Sequence, residues 1–251
     1  MNTNTRADRA ARAWLDVHGV LAATQPDGYL HVSPHGTAEL VTGTRIPLLN
    51  GVVAITRDPD AGEIAGAATS PRLAGLPWSL RVRGEDADDR IAAVAAAHGL
   101  ATRSPQPFLL RELTPADAAP VAGARRVTGT ESAAYQRALA AGFGAPLDGM
   151  AIFAHPHLLD HPSMSAYLIE AGGEPVATAF AALSGDLVGV FNIAVLPPFR
   201  RRGFGRAATA AALSDAYAKG ARTAFLHSTA EGRPLYDRMG FHLAENWTLF
   251  T

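Results

Sequence analysis

The sequence predicts an α/β protein in which short strands alternate with helices over two successive segments of the chain. Strand patterns such as NGVVAITRD and PWSLRVRG are bounded by glycine, proline or aspartate. Helical segments end at glycine, as at Gly99 and Gly220. The 251 residues, 48% of them hydrophobic, are enough to bury an ordinary core.

The composition narrows the classes of partner. Lys and Arg number 22 against 23 Asp and Glu, a formal net charge of −1, and residues 121–251 carry 11 basic and 10 acidic side chains. No broad basic surface therefore favours nucleic acid or an anionic membrane. The chain has no cysteine, which excludes disulfides and thiolate chemistry. No apolar run has the length of a signal peptide or membrane span, so we expect a cytoplasmic protein.

The first segment opens with a helical pattern over 6–15. The strand patterns GYLHVSP, NGVVAITRD and PWSLRVRG follow, the last with the apolar/polar alternation of a half-buried strand. A helix over 86–97 and the strand PFLLREL complete this segment. The stretch TPADAAPVAGA, 114–124, is rich in proline, alanine and glycine and has little hydrophobic periodicity. It predicts a domain boundary, giving domains 1–118 and 119–251.

The second segment begins with the strand RRVTG and a helix over 131–141. Gly172 and Gly173 mark a hairpin between two strands, and the apolar run 187–195 is typical of a strand buried on both faces. A helix over 206–218 and the strand TAFLHS follow. The residues STAE from Ser228 to Glu231 form the pattern of a capping box, which predicts a helix from there to Met239, and WTLFT predicts a last strand.

The turn between the apolar strand and the helix at 206 carries the clearest chemical signal. Prolines 197 and 198 end the strand, and the chain then passes through RRRGFG into the helix. Backbone N–H groups in such a turn point outward at the positive end of a helix dipole, glycine allows close approach, and guanidinium groups add charge-assisted hydrogen bonds. The pattern predicts phosphate binding, although a solvated basic turn would have a similar composition.

The residues GFGRAA, 203–208, also fit the dinucleotide fingerprint G-x-G-x-x-A. The following strand, TAFLHS, has no acid to bind a ribose, and only 46 residues follow Gly205. A P-loop is not indicated either, because no Gly-Lys-Ser/Thr follows. These departures disfavour a nicotinamide oxidoreductase or a nucleotide hydrolase.

The residues VLPPFRRRGFG resemble the acetyl-CoA-binding signature of the GNAT N-acetyltransferases, V-x-P-x-[YF]-R-x-x-G-x-[GA]. The positions in register are Val195, Pro197, Phe199, Arg200, Gly203 and Gly205. The later stretch PLYDRMGF, 234–241, resembles the second part of the same signature. The resemblance covers about 126–251 and implies a mixed, mostly antiparallel sheet flanked by helices. The first segment resembles the degenerate N-terminal half of tandem-GNAT proteins.

The resemblance also implies a cofactor site. The pyrophosphate of CoA would lie on the loop, and the pantetheine would lie along the preceding strand. The residues implied as binding the cofactor are Ile193, Ala194, Val195, Arg200, Arg201, Arg202, Gly203, Phe204, Gly205, Arg206 and Ser228. Tyr236 matches the tyrosine that protonates the departing thiolate, although packing beside Phe241 would also explain an aromatic residue there. Capping of the helix is the competing role for Ser228.

No residue stands out as the base that deprotonates the amine. Asn192, on the apolar strand, cannot serve as one. Asp186, Glu170 and His227 are candidates, and bulk solvent is an alternative. The stretch HPHLLDH, 155–161, suggests a metal site by its histidines, but its prolines and the lack of a helical zinc spacing favour acceptor-site lining or a plain loop. We expect no metal.

Together these features predict an acetyl-CoA-dependent N-acetyltransferase that moves an acetyl group directly to a primary amine of a small molecule or peptide. A covalent enzyme intermediate is not needed, so the absence of cysteine is no obstacle. The alternative is a non-catalytic CoA-binding or regulatory module. Nucleic acid and membranes are not expected partners, and a homodimer is compatible with the sequence.

Overall fold

The computed structural model describes residues 3–85 and 88–251, and the chain divides into two compact units. The first unit comprises Met1–Leu109, His227–Thr229 and Leu243–Thr251, and the second comprises Leu110–Leu226 and Ala230–His242. The chain passes from the first unit to the second inside a strand, and short C-terminal segments return to the first unit. The predicted division at 118/119 stays a prediction about where the family domain begins.

Helices and strands are interspersed along the chain, with β1–β3 and β7–β9 as runs of consecutive strands. The described helices are α1 (Thr3–Ala23), α2 (Ala61–Ala68), α3 (Asp89–Ala97), α4 (Ser132–Phe143), α5 (Pro156–Leu159), α6 (Phe204–Ala218) and α7 (Arg233–Arg238). The described strands are β1 (Tyr29–Val32), β2 (Thr37–Val41), β3 (Gly51–Ala54), β4 (Ser79–Arg83), β5 (Arg103–Glu112), β6 (Ala124–Val127), β7 (Met164–Ala171), β8 (Glu174–Ser184), β9 (Leu187–Val195), β10 (Thr223–His227) and β11 (His242–Phe250). The start of the helix predicted at 86 lies outside the described residues.

The first unit contains a sheet in the order β1-β2-β3-β4-β11-β5. The pairs β1/β2, β2/β3 and β4/β11 are antiparallel, and β3/β4 is parallel. A parallel pair needs a crossover connection, and α2 lies between β3 and β4 in the chain. Ile64 of α2 and Ile91 of α3 belong to one buried cluster with Val52 and Leu80.

The expectation of a half-buried β4 is wrong, because all five of its residues are buried. Leu80 and Val82 face the apolar cluster with α2 and α3. On the alternate positions, Arg81 lies over the Trp14 ring of α1 and Arg83 forms ion pairs with Asp8 and Glu245. The alternation in the sequence therefore reflects two buried faces of different chemistry.

The second unit contains a sheet in the order β10-β9-β8-β7-β6. The pairs β6/β7, β7/β8 and β8/β9 are antiparallel and β9/β10 is parallel, so the predicted mixed, mostly antiparallel sheet is confirmed. The hairpin at Gly172 and Gly173 joins β7 to β8 as predicted, and both glycines have positive φ. Both α4 and α6 pack against β8. Among the described helices, none is long and apolar enough to cross a membrane.

The capping box at Ser228 does not form, which corrects the sequence prediction. Ser228 and Thr229 have no regular structure, 230–232 form a turn, and α7 begins only at Arg233 with Gly232 as its N-cap. A helix starting at Ser228 would place Pro234 in its interior, where the ring clashes with the preceding turn and the N–H is missing. Proline is accepted in the first turn instead, and this fixes the later start of the helix.

Candidate active site

A β-bulge bends β9 shortly before its end. Phe191 lies opposite Phe180 and Ala194 lies opposite Thr178, so two residues of β9 occur where β8 has one. Asn192, inside the bulge, has a φ of 51°, which is uncommon for a residue other than glycine. The bulge re-aims the last residues of β9, among them Ile193, Ala194 and Val195.

Two side chains hold the bulge in place. The Thr178 hydroxyl donates to the Asn192 carbonyl oxygen at 2.8 Å. The buried Tyr135 hydroxyl of α4 donates to the Ala179 carbonyl oxygen at 3.3 Å, and burial raises the pKa of this phenol, opposed by a hydrogen bond with the Asn192 side chain. These contacts have no local signal in the sequence, because Tyr135 and Ala179 are 44 positions apart.

The strands β9 and β10 are paired only at their beginnings. The register runs from Leu187 opposite Thr223 to Gly189 opposite Phe225, and the last part of β9 continues past it. A Cβ at Gly189 would lie 2.4 Å from Phe191 Cε2 and 2.8 Å from Phe225 Cζ, so the two rings occupy the space beside this glycine. The residues Ile193, Ala194 and Val195 therefore lie beyond the paired region, where main chain can accept a ligand as an additional strand.

The loop after β9 turns sharply into α6. Pro197–Phe199 form a 3₁₀ turn, and Arg201 and Gly203 have φ values of 62° and 89°. The first amide of α6 that bonds back is that of Ala207, which donates to the Gly203 carbonyl at 3.0 Å, and Gly203 provides no side-chain cap. The N–H groups of the first helical turn, at 204–206, therefore point along the axis at the positive end of the helix dipole.

The three consecutive arginines of the loop have different surroundings. The Arg200 guanidinium donates through Nε to the Val195 carbonyl at 3.1 Å and through Nη2 to the Gly142 carbonyl at 2.9 Å, so it ties the loop to β9 and to α4. The Arg202 guanidinium lies over the rings of Phe199 and Phe204, at 5.3 and 5.7 Å. Arg201 and Arg206 are exposed. One arginine is thus structural and the others remain available to solvent or ligand.

The α7 helix brings Tyr236 toward the start of α6. A Cβ at Gly205 would lie 3.3 Å from Leu235 Cδ2 and 3.6 Å from Val195 Cγ2, so α6, α7 and the end of β9 meet closely at this glycine. Tyr236 is 9% exposed, and its ring makes an edge contact with Phe241 at 5.7 Å. Burial raises the pKa of Tyr236 to about 12, so its hydroxyl stays protonated at neutral pH.

Ser228 and the three candidate bases do not belong to the group formed by the loop, the start of α6 and Tyr236. Ser228 belongs to the first unit, unlike the loop and Tyr236, and its buried hydroxyl has no hydrogen-bond partner among the described residues. Glu170 pairs with Arg125 at 2.9 Å. Asp186 precedes β9, and a nine-residue strand separates it by roughly 30 Å from the strand's far end. His227, in the first unit, is held neutral because burial and the Arg81 charge lower its pKa well below 6.5.

Side chains of the segment 155–161 make hydrogen bonds to nearby residues. The Asp160 carboxylate accepts from the Gly129 amide at 2.8 Å, and His161 Nδ1 is 2.9 Å from the Ser163 hydroxyl. Within 3–85 and 88–251, no group of three or more potential ligands is placed to hold a metal ion.

Comparison with known proteins agrees with this geometry. Residues 134–241 match the model of the acetyltransferase (GNAT) family. A GCN5-related N-acetyltransferase from Kribbella flavida has a similar structure, with 24% identity over 97% of this chain and 94% of that one and a TM-score of 0.68. A GCN5-related N-acetyltransferase from Sphaerobacter thermophilus has 18% identity over 88% of this chain and 78% of that one, with a TM-score of 0.57. None of the curated proteins compared with the chain matches it.

The matched segment contains the bulged β9, the arginine-glycine loop, α6 and α7, all of which lie within the family model. The two structural neighbours extend the likeness in fold over most of the chain. Residues 134–241 of this chain are therefore similar to the acetyltransferase (GNAT) family, and the likeness to the two solved structures concerns the fold.

Proposed function

We propose that this chain is an acetyl-CoA-dependent N-acetyltransferase that moves an acetyl group directly to a primary amine of a small molecule or peptide. The observation that carries the proposal is the continuous series formed by the bulged end of β9, the loop with positive φ at Arg201 and Gly203, and the uncapped start of α6. Such a series offers main-chain groups to an extended chain and amide donors to the phosphates that follow it.

In this proposal the pyrophosphate of acetyl-CoA accepts from the amides at 201–206, with Arg201, Arg202 and Arg206 adding charge. Arg200 contributes by holding the loop against Val195 and Gly142, as its two hydrogen bonds indicate. The pantetheine amides would pair with main chain at Ile193, Ala194 and Val195. Ser228 stays a proposed contact because its hydroxyl is buried without a partner. No metal is needed for this arrangement.

The chemistry is a direct transfer from sulfur to nitrogen. The neutral amine attacks the thioester carbon and forms a C–N bond, and a backbone N–H at the bulge stabilises the oxyanion that develops. The C–S bond then breaks. Tyr236 donates its phenolic proton to the departing thiolate, a role suited to a hydroxyl whose pKa of about 12 keeps it protonated. Nitrogen loses two protons in all, one as the acceptor ammonium becomes the neutral amine and one as the tetrahedral adduct collapses to the amide. Both go to solvent, and solvent returns one proton to the Tyr236 phenolate.

We also propose a different role for each of the two predicted domains. Residues 119–251 would form the catalytic GNAT domain, which includes the family match at 134–241. Residues 1–118 would form a degenerate GNAT-like N-terminal domain. Its parallel β3/β4 pair joined through α2 supports that origin, because it repeats in smaller form the β9-α6-β10 connection.

Release of free thiol from acetyl-CoA tests turnover across a panel of amino acids, polyamines, aminoglycosides and peptides with free N-termini. We expect at least one amine to accelerate release, and Tyr236→Phe to lower kcat by roughly 100-fold or more with little change in the Kd for acetyl-CoA. Tyr217→Phe is the matched control, because that ring stacks on Arg222 near the far end of α6 and a phenyl ring preserves the contact. Tight acetyl-CoA binding with no release for any amine would favour the non-catalytic module instead.

A further inference from the structure

The first unit buries a second group of polar side chains that the proposed acetyl transfer does not use. We call it the Trp14 cluster: His18, Arg81, Gln106 and His227, together with the rings of Trp14, Phe108 and Trp247. All seven residues belong to the first unit. They come from α1, β4, β5, β11 and the end of β10, and so from four strands covered by one helix.

The rings bring these side chains to one place. The His18 ring stacks on Trp14 at 3.7 Å, and the Arg81 guanidinium lies 5.1 Å from the same indole ring. The His227 ring lies 6.0 Å from Trp14 and 4.8 Å from Trp247. Their common contact with the Trp14 ring places His18, Arg81 and His227 around one indole, and the Arg81 and His18 charges both lower the pKa of His227.

Gln106 lies on the same side of β5 as Phe108, because side chains two positions apart share a face of a strand. The Phe108 ring is 4.7 Å from that of His227. The Gln106 side-chain amide is thus beside the imidazole, and no hydrogen bond between these two side chains occurs in the described residues. The backbones of Pro107 and Gln106 act on the His227 ring and oppose the lowering of its pKa. Gln106 and His227 are partly exposed, but Gln106 Oε1 and both ring nitrogens of His227 are buried. The cluster therefore lies directly beneath the surface.

Several buried polar atoms of the cluster have no hydrogen-bond partner among the described residues. They are Arg81 Nε, Gln106 Oε1 and both ring nitrogens of His227. A buried polar group without a partner costs about 1–3 kcal/mol, and native structures rarely retain several together without a water, ion or ligand to bind them. The concentration of such atoms around Trp14 is the first sign of a ligand site.

The charge of the cluster is the second sign. Arg81 is 3% exposed, and its Nη2 donates to the Leu48 carbonyl at 2.7 Å. Two positions further along β4, Arg83 has Asp8 and Glu245 as partners. No described carboxylate pairs with Arg81 in this way, and a buried charge without a counter-charge is strongly unfavourable.

We propose that the Trp14 cluster binds a small monocarboxylate, whose oxygens accept from Arg81 Nε and from a ring N–H of His227. A half-turn of the Gln106 amide presents its NH₂ as a further donor. The surrounding indole and phenyl rings provide an apolar wall for the body of the ligand. The anion supplies the missing counter-charge, and this site is separate in its residues from the loop at 200–206.

Tryptophan fluorescence provides a direct test, because Trp14 and Trp247 are part of the cluster. The full chain carrying Trp78→Phe removes the third indole, which packs near His98 instead. Without acetyl-CoA present, acetate and benzoate are titrated against their neutral isosteres acetamide and benzamide. We expect a saturable change with at least one carboxylate and a Kd at least about tenfold lower than that of its amide.

Substitutions within the Trp14 cluster then test whether the carboxylate binds there. Arg81→Gln is expected to weaken carboxylate binding at least about tenfold, whereas Arg90→Gln, which removes an exposed arginine of the same unit, leaves it unchanged. Gln106→Leu, at a partly exposed position, is expected to weaken binding as well, and it serves if Arg81→Gln does not fold. Lack of saturation, equal affinity for carboxylate and amide, or unaltered binding in both variants would mean that ordered water fills the cluster, and would overturn the proposal. Because acetyl-CoA is absent, these outcomes are independent of acetyl transfer.

Discussion

Arg200 illustrates how one residue of a basic run differs from its neighbours. Arg200 and Arg201 are both exposed, and the Arg200 side chain bonds to two backbone carbonyls. We expect Arg200→Ala to lower the free energy of unfolding by about 1–3 kcal/mol, because it removes two charge-assisted hydrogen bonds. Arg201→Ala is expected to stay within about 0.5 kcal/mol of the wild type. Urea denaturation of the ligand-free protein measures both, and equal losses would show that Arg200 has no anchoring role.

His18 makes stability depend on pH. Burial, with a smaller contribution from Arg81, lowers the pKa of His18 to about 3, and neighbouring His227 is shifted in the same direction. The unfolded chain therefore binds more protons below pH 6.5, and stability present above that pH is lost progressively toward pH 3. Each such histidine contributes a slope of at most about 1.4 kcal/mol per pH unit.

The measurement for His18 is the free energy of unfolding at several values of pH from 7 to 4. His18→Phe preserves a ring to stack on Trp14 and cannot be protonated, so we expect a shallower dependence on pH than in the wild type. An unchanged slope would show that His18 is already charged in the folded protein.

At the scale of elements, the bulge of β9 depends on side chains from outside that strand. We expect Tyr135→Phe to lower the free energy of unfolding by about 1–3 kcal/mol, because it leaves the buried Ala179 carbonyl without its donor. Loss of the hydroxyl should also reduce kcat, since the bulge directs the backbone of Ile193. Tyr217→Phe is again the control. A variant with normal kcat and reduced stability would separate the bulge from catalysis.

Some elements were predictable because their signals are local. The bounds of β9 follow from the turn at Gly185 and the prolines after Val195, and the structure has the strand at 187–195 as expected. The hairpin at Gly172 and Gly173 is equally local. The bulge could not be predicted, because it needs Tyr135 and Thr178 from other elements. The helix start predicted from STAE is wrong, because Pro234 is accepted only in the first turn of α7.

At the scale of the whole molecule, the first unit is not a continuous stretch of chain. The segment Leu243–Thr251 belongs to it, and β11 pairs with β4 from Trp247 opposite Arg83 to Phe250 opposite Leu80. We therefore expect the fragment 1–118 not to unfold cooperatively, because it lacks β11 and leaves Arg83 without Glu245. Thermal denaturation followed by circular dichroism is the measurement. A cooperative transition of the fragment would contradict the division into units.

Calorimetric titration of acetyl-CoA into the intact chain tests whether the loop at 200–206 and the start of α6 form the cofactor site. We expect acetyl-CoA to bind and NADPH not to bind. Gly205→Val should abolish acetyl-CoA binding, because a Cβ there already lies 3.3 Å from Leu235 Cδ2 and the branched side chain forces α6 away from α7. Arg202→Ala should only weaken it, since that side chain lies over Phe199 and Phe204. If the chain bound NADPH but not acetyl-CoA, or if the two variants lost affinity equally, the loop and its glycines would not be the acetyl-CoA site.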